Sequence, residues 1–193
     1  MEPRIRGEST GQAAVAALHE ETARLWVVFA IALLFPKQLD DPMDGIVYGS
    51  IVGLGMAVEE SFHFLQLRGA SDLRSFPIEI VPLLGHLVMG GIAGFGVGLG
   101  KAGISGWRRG LVISFCAALA LHFSWDWVAL SASDASTLSG TRSLLACAIL
   151  GSGILFYGML VVLGSRLSKA MFEPGSRRGL WGWPFTAPRS RGE

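Results

Sequence analysis

A chain of 193 residues that is 51% hydrophobic and 16% charged, with 26 glycines and a mean hydropathy of +0.48, is too apolar for a soluble domain of its size. Its formal net charge of +1 gives no sign of a nucleic-acid partner, since the basic residues lie in loops and a tail rather than on a stripe, and none is expected. An all-α fold follows: a polytopic helical membrane protein with about five transmembrane helices in the lipid bilayer.

The first 19 residues hold no continuous apolar region ahead of a cleavage site, so no signal peptide is expected and insertion should proceed through the chain's own helices. The first stretch, residues 13–35, is cleanly apolar only from Leu25 to Phe35. It reaches spanning length by including His19, Glu20, Glu21 and Arg24, and an interfacial or re-entrant helix is its alternative. Pro36 and the acidic turn Asp40, Asp41, Pro42 and Asp44 separate it from the second stretch, residues 45–67, which carries Glu59, Glu60 and His63. The third, residues 76–99, opens with Phe76 and Pro77. Pro82 stands one turn before His86 and predicts a kink there, and the glycines from Gly90 to Gly98 offer faces for close helix contact.

The fourth stretch, residues 110–130, carries His122 and Asp126. The fifth, residues 143–164, has no acidic residue or histidine and is assigned to packing. Residues 1–164 thus read as one transmembrane domain. Residues 165–193 read as a basic tail with Trp181 and Trp183, disordered or lying at the headgroups. Cys116 and Cys147 fall in apolar stretches without a C-x-x-C pattern, so neither a disulfide framework nor a thiolate zinc site is expected, and both read as small buried hydrophobes. Lys37, Lys101, Arg108, Arg109 and the tail's Arg166, Lys169, Arg177, Arg178, Arg189 and Arg191 share one side. Arg4, Arg6, Arg68, Arg74 and Arg142 lie on the other. The positive-inside rule then places the carboxyl terminus in the cytoplasm.

An ionisable group at membrane depth costs about 2.5–3.5 kcal/mol on insertion scales, so its presence in four helices argues for a shared polar site. At 1.5 Å per residue, Glu20, Glu60, His86 and His122 each lie roughly 10–15 Å from the same membrane face, although alternate helices run in opposite directions. His122 and Asp126 are i and i+4, stacked on one helix face; they suit two metal ligands, or one ligand and the carboxylate that orients it. Glu59 and Glu60 point about 100° apart, so one of them faces a common centre and Glu59 is left to serine, backbone or water. His19 and His63 read as hydrogen-bonded packing residues, Glu79 as interfacial, and Asp126 between Trp125 and Trp127 has an interfacial anchor as its alternative.

Four short motifs stand in order on these segments: Glu20, Glu21 and Arg24; Met56 and Glu60; His86 and Gly90; His122 and Asp126. Over about residues 18–130 they resemble the PrsW family of intramembrane proteases, a branch of the superfamily that includes the CAAX prenyl proteases. Its patterns are Glu-Glu-x-x-Lys, Phe-x-x-x-Glu, His-x-x-x-Gly and His-x-x-x-Asp/Asn. Arg24 stands for the usual Lys and Met56 for the usual Phe, and family members usually carry further membrane helices ahead of the first motif.

The resemblance implies an endopeptidase of a bacterial cytoplasmic membrane that hydrolyses peptide bonds in or near membrane segments of protein substrates. Such chemistry needs an activated water, oxyanion stabilisation and a proton donor for the leaving amine. Glu20 or Glu21 would be the general base, with Arg24 balancing charge one turn away. Glu60, His86 and His122 have the ligand types of a catalytic zinc with an open position, and Asp126 would be a fourth ligand or a supporting carboxylate. A metal-free version, with a Glu and a His activating water and His122 with Asp126 serving the oxyanion, draws equally well. The rival readings are a proton or divalent-metal transporter and a non-catalytic membrane partner that keeps a degenerate site as structure.

Overall fold

The computed structural model describes residues 3–67, 76–130 and 140–172. Five helices account for the fold: α1 (Pro3–Leu34), α2 (Pro42–Leu67), α3 (Phe76–Lys101), α4 (Trp107–Leu130) and α5 (Gly140–Phe172). Helix α1 begins well before the expected residue 13, and α5 continues past 164, so the first residues assigned to the tail extend a helix. The remainder of the tail, with Trp181 and Trp183, lies outside the described residues. Pro82 sits inside α3 without ending it.

Among the described residues, three helices are long and apolar enough to cross a membrane: Ile80–Lys101, Trp107–Ala129 and Gly140–Met171. The other two, α1 and α2, are those that carry the Glu20–Glu21 and Glu59–Glu60 pairs, whose charges lower their hydropathy.

The start of α2 is fixed by a capping box. The Asp44 backbone N–H donates to Asp41 Oδ1 at 2.9 Å and the Asp41 N–H to Asp44 Oδ2 at 3.3 Å, with Pro42 at the first helical position where its missing N–H costs nothing. These acidic side chains are thereby committed to the turn. At the next connection, Gly103 and Gly106 take positive φ (67° and 78°), which lets the chain reverse tightly from α3 into α4.

Helix α3 is the centre of the bundle and packs against all four others. Helix α1 rests on α2, α3 and α4, while α5 rests on the same three and, among the described residues, does not touch α1, so the two occupy different faces of the α2–α3–α4 layer. The closest packing is between α2 and α3, where Gly45, Gly49 and Gly53 meet Gly90, Gly94, Gly98 and the His86 backbone. A Cβ at Gly49 would overlap the Gly90 carbonyl oxygen, and one at Gly53 the His86 carbonyl oxygen. Close backbone approach of this kind substitutes for the hydrophobic drive that lipid removes. A cluster of Ile46, Val88, Met89, Ile92 and Phe95, with Leu160 of α5, fills the centre. A hydrogen bond between Ser50 Oγ and Tyr157 Oη (3.1 Å) ties α5 to α2.

Large apolar side chains such as Trp26, Ile113, Leu144 and Leu155 face outward, as a lipid-facing surface requires. Cys116 and Cys147, expected to be buried, are exposed on α4 and α5. Their helix faces point to lipid, where a small apolar side chain satisfies the same composition that suggested burial.

Replacing Gly49 by Val should force α2 and α3 apart and lower stability by about 1–3 kcal/mol or more, read from thermal unfolding in detergent. Gly55→Ala, at a position with open space around it, should leave the unfolding temperature unchanged or raised.

Candidate active site

One face of α1 builds the floor of the polar site. Ala13, Ala17, Glu21, Arg24, Val28 and Ala32 recur at helical spacing and are all fully buried. The small residues at 13 and 17 let the helix approach its neighbours, and the same stripe carries an ion pair inward. Arg24 Nη1 donates to Glu21 Oε1 one turn away, with both side chains at 0% exposure. The hydrogen bond from Trp127 Nε1 to Thr10 Oγ1 (3.2 Å) holds α4 against the same helix.

The pair reaches both histidines. Arg24 Nη2 lies 2.8 Å from His86 Nδ1, and His122 Nδ1 donates to Glu21 Oε1, also at 2.8 Å. The two imidazoles meet edge to face with ring centroids 5.2 Å apart, and both are buried. Their Nε2 atoms face three carboxylates that remain partly open. His86 Nε2 lies 3.0 Å from Glu60 Oε2, while His122 Nε2 is 3.6 Å from Glu20 Oε2 and 3.5 Å from Asp126 Oδ2. Side-chain exposure divides the set: 38% for Glu60, 27% for Glu20 and 20% for Asp126, against 0% for Glu21.

The register of α2 and α3 explains how Glu60 gets there. Gly53 presses on the backbone of His86, and Glu60 lies two turns further along the same face of α2. On α4, His122 and Asp126 share a face as the i, i+4 spacing requires.

Glu20, Glu21, Arg24, Glu60, His86, His122 and Asp126 therefore meet in one cluster built by four helices. Glu20, His86 and His122 can each present a ligand atom such that all lie within 4.8 Å of one another. This puts Glu20 where the sequence reading put Glu60, which instead sits against His86. Glu21 is sealed away from water, so of the two α1 glutamates only Glu20 can reach an incoming water. Glu59 is exposed, and so are His19 and His63, which were expected to pack; the Glu79 side chain lies outside the described residues. The contact of Arg24 with His86 is the feature that sequence reasoning missed. Its signal was the buried stripe from Ala13 to Ala32, which points Arg24 inward together with Glu21.

A family model described as PrsW family intramembrane metalloprotease matches residues 3–162. Similar curated proteins include a "Protease PrsW" of Geobacillus kaustophilus, 32% identical over 116 residues, covering 60% of this chain and 50% of the relative. A second, from Oceanobacillus iheyensis, is 29% identical over 112 residues, covering 58% of this chain and 51% of its own. The Bacillus subtilis protein is 32% identical over 111 residues, covering 56% and 49% respectively. The chain spans about half the length of the curated relatives it matches. No solved structure matches it.

Breaking a buried ion pair by removing one partner costs about 3–5 kcal/mol, so Arg24→Met should strongly lower the unfolding temperature in detergent. Glu60→Gln, at a half-open position, should change stability by no more than about 1 kcal/mol. Equal loss in the two variants would contradict the division into sealed and open groups.

Proposed function

The chain belongs to the PrsW family of intramembrane metalloproteases, and we propose that it works as an endopeptidase that hydrolyses peptide bonds in or near membrane segments of protein substrates. Family membership and the three spanning helices make it an integral bacterial membrane protein. The observation that carries the peptidase reading is the convergence of three partly open carboxylates on the Nε2 atoms of two buried histidines.

The donor set fits a divalent cation. His122 gives its Nδ1–H to a carboxylate, the arrangement that orients a metal-binding imidazole, and its Nε2 faces two further carboxylates. Glu20 and His122 would hold the ion, with His86 or Asp126 as the third ligand, and zinc suits this combination of imidazole and carboxylate. When bound, such an ion supplies a Lewis acid for the scissile carbonyl and acidifies a water.

The chain's own residues supply the proton traffic. Glu60, the most open carboxylate of the cluster, is placed to take a proton from water as the water oxygen bonds to the carbonyl carbon. It then returns that proton to the leaving nitrogen as the C–N bond breaks. Glu21 and Arg24 stay out of this exchange, being sealed from solvent, and hold the two imidazoles in place. The surrounding helices exclude bulk water, which strengthens each polar contact within. The distribution of Lys and Arg supports a cytoplasmic carboxyl terminus in the cytoplasmic membrane, and with it a site nearer the opposite face.

Glu20→Gln, Glu60→Gln and His122→Ala should each reduce cleavage of single-span fluorogenic reporters in proteoliposomes by roughly 10²- to 10⁴-fold, with the helical circular dichroism signal unchanged. Undiminished cleavage in all three would overturn the peptidase reading, and zinc or proton flux that depends on Glu60 and His122 would replace it with transport. Thiol labelling of a cysteine placed at the carboxyl end should be blocked from the outside of intact cells; free labelling would reverse the orientation.

A further inference from the structure

The two histidines are held by partners of opposite kind. Glu21, ionised against Arg24, can only accept, so His122 donates from Nδ1, and in the neutral ring Nε2 is the bare nitrogen. Arg24 can only donate, because a guanidinium has no acceptor and keeps its charge in proteins. At 2.8 Å from Arg24 Nη2, His86 Nδ1 must therefore be the bare nitrogen, and the ring proton sits on Nε2. That proton points at Glu60 Oε2, 3.0 Å away, an ordinary N–H···O distance. A doubly protonated His86 would aim an N–H at the guanidinium and is excluded by the same contact.

We propose that Arg24 is a positioning residue that locks His86 as its Nε2–H tautomer, so that His86 serves as hydrogen-bond donor to Glu60 and is withheld from metal ligation, leaving Glu20, His122 and Asp126 as the ligand set. A nitrogen that carries a proton has no lone pair for a cation, so proximity of His86 to Glu20 and His122 does not make it a ligand. On the other side of the cluster the situation is reversed. The bare Nε2 of His122 faces Glu20 Oε2 at 3.6 Å and Asp126 Oδ2 at 3.5 Å. These separations are too long for hydrogen bonds and bring together atoms that all offer lone pairs. Such a set takes a positive charge at its centre, either a metal ion or a second proton on the His122 ring, and the zinc titration below distinguishes the two.

The tautomer assignment rests on geometry alone, whereas the use of the Glu60–His86 pair in water activation rests on the peptidase reading. An ammonium is also a donor without acceptor capacity. Arg24→Lys should preserve the His86 tautomer and Arg24→Met should abolish the preference.

The test is nitrogen-15 NMR of ring-labelled histidine in the detergent-purified full chain, with resonances assigned by His86→Asn and His122→Asn. In the wild type, His86 should show a protonated Nε2 and a bare Nδ1, and His122 the reverse. Added zinc sulfate should shift the His122 Nε2 resonance and leave that of His86 in place. A His86 ring protonated at Nδ1 would overturn the proposal, as would a zinc-induced shift at His86 Nε2 or the lack of one at His122. These readouts do not depend on cleavage: loss of peptidase activity with both tautomers as stated would count against the proposed function and not against the assignment. Arg24→Lys showing the wild-type pattern separates positioning from simple loss of folding.

Discussion

A single ion pair, Arg24 with Glu21, is the constraint on which the rest of the site depends. Placing two charges where no water reaches is costly, and their attraction offsets the cost only when the remaining donors and acceptors find partners. Here the partners are the imidazoles: the guanidinium turns to His86 and the carboxylate to His122. Glu21 Oε2 and Arg24 Nε are left without a hydrogen bond, so the pair is not an optimised stabilising device. Its value lies in orientation. An acceptor and a donor fixed on one helix turn dictate how two rings on different helices must stand.

That arrangement works only if the helices carrying the rings come close, and glycine determines this. The α2–α3 contact is so tight that a methyl group at Gly49 or Gly53 would meet backbone. Since Gly53 rests on the His86 carbonyl, the contact fixes α2 relative to His86, and two turns later it delivers Glu60 to the ring. A looser interface would still bury α3, but it would not hold a 3.0 Å hydrogen bond across two helices. The packing surface and the geometry of the site are thus one feature, and the face of α3 that meets α2 is glycine at 90, 94 and 98 while its bulky residues fill the centre from other faces.

The parts of this fold most legible in sequence were those where composition meets the cost of burying charge. Glu20, Glu60, His86, His122 and Asp126 were identifiable because lipid leaves an ionisable group few places to go, and their common depth implied convergence. The i, i+4 step from His122 to Asp126 survives in space because helix geometry guarantees it. What could not be read was direction. The glutamates at 20 and 21 are adjacent in sequence and equal in composition, yet one opens toward the Nε2 atoms and the other is sealed beneath them. Only the rotation of α1, set by Ala13, Ala17, Val28 and Ala32 packing inward, decides between them. The same limit applies to Cys116 and Cys147, where apolar neighbours could not distinguish a lipid-facing surface from a buried one.

The two layers of the site answer different physical demands. Groups that must stay put are removed from water, because a sealed hydrogen bond has no solvent competitor and cannot exchange partners cheaply. The carboxylates that face the Nε2 atoms keep part of their surface open: Glu60, Glu20 and Asp126 are each between one-fifth and two-fifths exposed. A histidine stands at the boundary between layers and passes the lower layer's instruction upward, since fixing one ring nitrogen fixes the proton on the other. With one ring told to donate and its neighbour told to accept, two residues of the same type perform unlike tasks a few ångströms apart. An Arg or a Lys at position 24 can only donate and at the same time balances the buried Glu21 charge, so it fixes the first instruction where a side chain without a donor cannot, and charge at this buried position serves orientation as well as pairing.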